Sequence, residues 1–240
     1  MKPFYDLYQK TSHFSIYSDS NQKNKFDKIV FINDVMFCRN DILELILQSY
    51  IHGADITCPL DLDFYDETGK NPDEKRFRDT WVARDINGNA FKKTLDKMVS
   101  DERGTERMKK YQPFQVQCCW NGIAILNPRP FEAPTNLQFR RSKVPSNECA
   151  ASECSLLCND FWRLGYNKVV VVPGVQVAYD TKEFSQLEKY YSNMTRDQIF
   201  DTTPIKFQEG PEFVECSPLT KYNFRDPEKF TVSIDYLAQP

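Results

Sequence analysis

Three acidic spots in this 240-residue chain combine residue types and spacing that could do chemistry. In Phe31-Ile32-Asn33-Asp34-Val35 an acid emerges where an apolar run ends. Open α/β sheets place their ligands at such strand ends. A carboxylate there can hold a divalent cation that neutralises charge growing on a leaving phosphate. The same two residues also suit a chain turn or a helix cap. Asp61-Leu62-Asp63 is a DxD, and alternation would put both carboxylates on one side of an extended segment. It competes for the metal, although Asp66 and Glu67 continue its polarity and suit a solvated acidic turn. Phe77-Arg78-Asp79-Thr80-Trp81-Val82-Ala83-Arg84-Asp85 joins two Arg, two Asp and a Trp. That mixture fits sugar hydroxyls, phosphate oxygens and a sugar's apolar face, and equally an ion-paired surface.

Further along, Trp120-Asn121-Gly122 offers a ring, an amide and a close-approach residue, or simply a core tryptophan. Glu148 and Glu153 precede a helix and are accounted for by capping; Glu153 could instead face the reacting sugar. Cys149, Cys154 and Cys158 fit no usual zinc framework in a chain whose histidines are His13 and His52. His52 reads as a helix-terminal residue rather than a ligand. There is no GxSxG, P-loop or GxGxxG among 8 glycines, so hydrolase, NTPase and dinucleotide readings lack support.

Elements must hold these residues in place. Lys28 to Ile32 reads as a buried strand, and Asn40 as the cap of a helix with Ile42, Leu43, Ile46, Leu47, Tyr50 and Ile51 at helical spacing before Gly53. Ala54 to Cys58 suits a short strand, Asp61 to Thr80 a surface loop, and Asp96 to Lys110 a solvated helix or flap. Gln115 to Leu126 is strand-like, Ser155 to Leu164 helical with Gly165 as its stop, and Lys168 to Val172 the most apolar strand. A helix near Glu183 to Met194 precedes a Pro-containing tail that wraps the domain or is partly disordered. Alternation of strands and helices predicts an α/β fold with a mostly parallel sheet.

Composition bounds the rest. A chain of this length with 40% hydrophobic content can bury roughly 70 to 75% of its unfolded surface, so residues 1–240 are expected to form one domain. A net charge of -3 with dispersed Lys and Arg argues against nucleic acid as a partner. No secretory leader or run of about 18 apolar residues is written in the chain. Eight cysteines and the sequon Asn193-Met194-Thr195 lean towards a secretory lumen, without revealing cysteine connectivity.

Taken together, Lys28 to Val35, Gly53-Ala54-Asp55, Asp79 to Ile86, Cys119-Trp120-Asn121-Gly122 and Ser152-Glu153 followed by Cys158 resemble successive motifs of the fungal capsule-associated α-1,3-mannosyltransferase family. The resemblance runs from about Lys28 to Asp180, with 181–240 as a C-terminal wrap or tail. It implies a GT-A-like fold, GDP-mannose as donor, a mannose-containing glycan as acceptor, a divalent metal such as Mn2+, retention of configuration, and a Golgi or other secretory-lumen location. On it, Asp34 is the metal residue and, with Asn33, Asp61 and Arg84, binds the donor. Asp79, Trp81, Trp120, Asn121 and Gly122 contact sugar or acceptor, and Glu153 or Asp85 stabilises the oxocarbenium-like centre. Members of the family carry further strands, and a membrane anchor, ahead of the Asp34 strand; the N-terminal portion is therefore expected to be truncated, which leaves an inactive sugar- or nucleotide-binding remnant as the alternative. A phosphoesterase built on Asp34, Asp61 and Asp63 ranks last, for want of histidine ligands.

Overall fold

The computed structural model describes residues 26–64, 74–191, 201–218 and 231–238; the sequon at Asn193 lies outside them. Strands β1 (Ile29–Ile32), β2 (Ile56–Asp63), β4 (Phe114–Val116), β5 (Ile123–Leu126) and β6 (Val169–Val177) form the main sheet, with β3 (Arg76–Phe77) paired to the end of β2. Helices are α1 (Arg39–Ile51), α2 (Glu102–Lys109), α3 (Glu153–Arg163) and α4 (Thr181–Tyr191); β7 (Val214–Cys216) and β8 (Val232–Ile234) make a small second sheet.

Among the described residues the sheet order is β1-β5-β2-β6-β4, and only β2 and β6 pair in parallel. The α/β class holds, but the sheet is mixed rather than mostly parallel. The reason lies in Gln115 to Leu126, which is not one strand: Asn121 (φ 50) and Gly122 (φ 78) turn the chain between β4 and β5, and both of those strands run against their neighbours.

Strand β6 is buried along its whole length, and β2 along all but its last residue. A centrally placed strand meets side chains on both faces, so it reads as a continuous apolar run. Strand β1 is instead an edge strand with alternating exposure, so the expected buried strand shows Val30 and Ile32 to solvent at 39% and 45%. Helix α1 covers one face with Leu45, against Ile123, Ile125 and Val170. Leu157, Cys158 and Phe161 of α3 fill the other face with Ile56, Leu60, Phe77, Phe114 and Trp120. The α1 cap is Cys38, whose backbone amide donates to Asp41, and not Asn40. Leu43, Leu47, Tyr50 and Ile51 lie on its outer side.

The described part of the tail wraps the domain. Arg163 donates to the Tyr236 carbonyl, Gln115 exchanges hydrogen bonds with Gln208, and Arg107 reaches the carbonyls of Thr203 and Pro204. Disulfides Cys118–Cys158 and Cys149–Cys216 fasten α3 to the β4–β5 loop, and β7 to the segment before α3. Closing the 67-residue separation of the second bridge restricts the unfolded chain. Replacing Cys149 and Cys216 together by Ser is expected to cost about 4 kcal/mol of stability, read by chemical denaturation under non-reducing conditions.

Candidate active site

Because β1 and β2 are each antiparallel to β5, and β6 is parallel to β2, the C-terminal ends of β1, β2 and β6 share one edge of the sheet. The chain leaving β1 crosses that edge: Met36 bridges Ala178 just beyond β6, its amide donating to Ala178 at 2.7 Å. This is the crevice at which open sheets take ligands.

Six side chains meet there. Asp61 sits in β2 opposite Val177 and is wholly buried, so residues 61–63 of the expected acidic surface loop are strand, as are Arg76 and Phe77, while Asp66 and Glu67 lie outside the described residues. The segment after β3 folds down on it: the Arg78 amide donates to the Asp61 carbonyl at 3.1 Å and the Asp79 amide to Asp61 Oδ1 at 3.3 Å. Asp79 Oδ1 accepts from the Val82 amide at 3.1 Å, and the Asn121 amide also donates to Asp79. Asn121 Nδ2 donates to the Pro59 carbonyl at 2.7 Å. Asn33, whose amide donates to Gly122, hydrogen-bonds the Tyr179 side chain, and the Arg78 guanidinium lies 4.1 Å from the Tyr179 ring centroid. The cation–π contact holds Arg78 at the rim.

Electrostatics divide the two acids. Burial, and then the Asp79 charge, hold the Asp61 carboxyl well above the ordinary carboxylate range. Asp61 Oδ2 is buried without a hydrogen-bond partner, as is Asn121 Oδ1. Burial pushes Asp79 up to about 6, opposed by amides and by the Arg84 charge. Burial, and then Asp61, raise the Tyr179 hydroxyl.

The other expected residues fall elsewhere. Asp34 is exposed at the lip beside Asn33. Asp85 Oδ1 accepts from the amides of Asn87 and Asn89, and Oδ2 from Ser100, so its carboxylate organises a loop instead of facing a sugar. Arg84 is buried and donates to the carbonyls of Glu215, Ala83 and Thr80; burial lowers it to about 10, and no phosphate could reach it without displacing those bonds. Trp120 packs in the core, 4.8 Å from Phe31 and 5.7 Å from Phe139 between ring centroids, and forms no sugar wall. Gly122 is needed because a Cβ there would stand 2.5 Å from Val35 Cγ1, at a φ of 78°. Trp81 is exposed, with Nε1 donating to the Ser217 carbonyl.

Glu153 opens α3 exposed; Ser152 is the cap, accepting from the Ser155 amide. Glu148 does not cap either. Arg140 grips it with two bonds of 2.7 Å and reaches Asp160 at 2.8 and 2.9 Å, while Arg163 also pairs with Asp160. Burial raises Glu148, but Arg140 and the Lys143 amide outweigh it and hold the carboxyl low. His52 ends α1 with Nε2 buried and without a hydrogen-bond partner; burial and then Arg107 keep its imidazole low.

Sequence reasoning left Tyr179 out, and Arg78 was seen only as part of a mixed segment. Tyr179 follows the observed end of β6 by two residues, but the strand expected from the sequence stopped at Val172, so the strand-end rule did not reach it.

Among the described residues no group of three His, Cys, Asp or Glu side chains could hold a metal ion. A divalent cation would therefore use one or two carboxylates here and complete its shell with ligand oxygens and water. Asp34 at the open lip fits that limited role. Asp61 is enclosed and does not, which also removes a three-aspartate phosphoesterase centre.

Comparison with known proteins gives this edge a context. The chain matches the family described as Cryptococcal mannosyltransferase 1 over residues 1–160. The chain belongs to that family. A relative, Alpha-1,3-mannosyltransferase CMT1 of Cryptococcus neoformans var. neoformans serotype D, is 38% identical over 171 residues, 68% of this chain. The chain spans about a third of that relative's length, 35%. No solved structure matches the chain. Every family-like segment named above, from the Asp34 turn to Ser152-Glu153, falls inside the matched residues.

Two outcomes test this geometry. Asp61→Asn should be more thermostable than the parent at pH 7 to 8. An acid raised on folding stabilises fully below its unfolded value of about 3.9 and loses that contribution as pH rises through the folded value, so the melting difference should grow from about pH 4 upward. Arg140→Ala should destabilise by about 3 kcal/mol in denaturant melts, because it leaves Glu148 and Asp160 enclosed with an unbalanced charge.

Proposed function

We propose that the chain is a mannosyltransferase module that binds GDP-mannose at the C-terminal edge of the sheet and passes mannose to a mannose-containing glycan acceptor. The observation that carries this reading is the convergence of Asn33, Asp61, Arg78, Asp79, Asn121 and Tyr179 at one strand-end crevice, all but Tyr179 within residues matched to the mannosyltransferase family. The relative is named as an α-1,3-mannosyltransferase, and an α-1,3 linkage made with retention is the corresponding proposal for this chain.

Each exposed group has work to do in that reading. Arg78 offers a bidentate donor to diphosphate oxygens. Asn33 and Tyr179 orient hydroxyls, and Trp81 offers an exposed aromatic ring on which a sugar's apolar face can lie. Mn2+ held by Asp34 would supply charge neutralisation at the leaving diphosphate. The strand-end placement suits a GT-A-like nucleotide site.

Two disulfides suit an oxidising compartment, which supports synthesis of capsule or cell-wall glycan in the Golgi or another secretory lumen. No helix among the described residues is long and apolar enough to cross a membrane.

Titrating GDP-mannose into the purified chain by calorimetry, with and without Mn2+, tests the reading. Metal-dependent binding that weakens at least tenfold in Asp34→Ala and in Arg78→Ala is expected. Binding unaffected by either change would place the donor elsewhere, and binding without transfer to any mannoside would describe a sugar-nucleotide-binding chain.

A further inference from the structure

Trp81 is exposed two residues after Asp79, and the groups that aim its ring come from much later in the chain. Its Nε1 donates to the Ser217 carbonyl at 3.2 Å. One residue of β7, Glu215, makes three more bonds to the same loop. Its carbonyl accepts from Arg84 Nε, its amide donates to the Gly88 carbonyl at 2.8 Å, and its Oε2 accepts from the Ala90 amide at 2.7 Å. Asp85 ties the intervening residues through the amides of Asn87, Asn89 and Ser100, so the loop is braced from within. Loop and strand fit closely. A Cβ on Gly88 would stand 2.1 Å from the Phe213 carbonyl oxygen. Between Trp81 and Arg84, Ser155 and Asn159 of α3, and Glu215 and Ser217 there remains a cavity of about 20 Å3, room for a single water.

Strand β7 has few other attachments. Among the described residues it pairs with β8 and with no strand of the main sheet. Val214 reaches the core, and the Cys149–Cys216 disulfide ties the last residue of the strand to the segment before α3. The two bridges differ in access: Cys118 and Cys158 are 1% and 0% exposed, whereas Cys149 is partly exposed. A thiolate attacks the disulfide sulfur it can reach, so a dithiol opens the Cys149–Cys216 bridge first.

Resting on the mannosyl-transfer reading, we infer that Glu215 and Ser217 are positioning residues for the acceptor: they hold the Trp81 ring and its loop in the orientation that receives the acceptor sugar, and the Cys149–Cys216 bridge fastens that hold. Opening the bridge is a two-electron exchange. A thiolate of the dithiol attacks the Cys149 sulfur, and the Cys216 sulfur leaves with the electron pair and takes a proton. The second thiol of the dithiol then closes on the first, loses its proton and releases Cys149 as a thiol. With both thiols free, β7 is held by Val214 and by hydrogen bonds that water can replace at little net cost. The ring then leaves its fixed orientation and acceptor affinity falls, while Asn33, Arg78 and Tyr179 stay where the ends of the main sheet place them.

Iodide quenching of tryptophan fluorescence reads this hold without turnover, because Trp120 and Trp162 are 2% and 7% exposed and Trp81 is 40% exposed. Quenching should rise after a mild dithiol under native conditions, with alkylation and mass spectrometry showing Cys149 and Cys216 open and Cys118 and Cys158 still joined. Trp81→Phe should abolish the rise. In mannose transfer from GDP-mannose, the same treatment should raise KM for an α-mannoside about fivefold, the worth of one hydrogen bond, at unaltered kcat and unaltered KM for GDP-mannose. Trp81→Phe keeps a ring and drops the bond to Ser217; it should raise that KM as much, and reducing it should add nothing, as two changes to one linked contact do not add. The double variant Cys149→Ser with Cys216→Ser repeats the opened state with the enclosed bridge intact, so it and the reduced parent each cover a failure of the other to stay folded. Quenching unchanged by selective opening, or effects of opening and of Trp81→Phe that multiply, would overturn the inference. Absence of transfer by the parent sinks the mannosyl-transfer reading and the acceptor role with it, while the quenching result decides the hold on Trp81 separately.

Discussion

The parallel pairing of β2 with β6 is the constraint from which the rest of the site follows. Among the described residues it is the single parallel contact in the sheet, and it brings Asp61 opposite Val177, two residues ahead of Tyr179. Both strands are buried on both faces, so sliding one against the other would expose an apolar run and is strongly disfavoured. Three residues beyond the even register are accommodated between Val171 and Gln176, and the strands re-pair before they end. Polar side chains at the strand ends are thereby fixed by hydrophobic packing beneath them, which places a site on a rigid support.

Loops complete the edge by borrowing backbone groups. The segment after β3 is held by the Asp61 carboxylate and carbonyl, the turn before β5 by Asn121 on Pro59, and the exit of β1 by Gly122 and Ala178. At the opposite edge, Asp55 is occupied by Asn127 and by the Lys168 amide, an arrangement that ties strand ends together. Polar groups at both edges are thus engaged, but only one edge retains a half-buried acid, an arginine and a tyrosine turned towards the same place.

Much of this was legible in the sequence. The helical period of residues 39–51, the stop at Gly165 and the apolar run of β6 report local packing, and each became the element expected. The Asp79 and Asn121 segments stand out in the sequence because their residue types are uncommon together, and both lie at the strand-end edge. What could not be read depends on partners distant in sequence. Whether Lys28 to Ile32 is central or at an edge is decided by which strands pair with it, and the Asp85 carboxylate is turned to backbone partly by Ser100, although its Asn87 and Asn89 amide partners are local. The Arg140, Glu148, Asp160 and Arg163 cluster is invisible to periodicity for the same reason.

Hydrogen exchange measured by mass spectrometry, with and without GDP-mannose and Mn2+, tests most directly whether the donor sits at this edge. Protection confined to peptides covering residues 33–36, 78–82 and 178–180 is the predicted result. Protection centred instead on Asp55, Asn127 and Lys168 would place the ligand at the opposite end of the sheet and contradict the account.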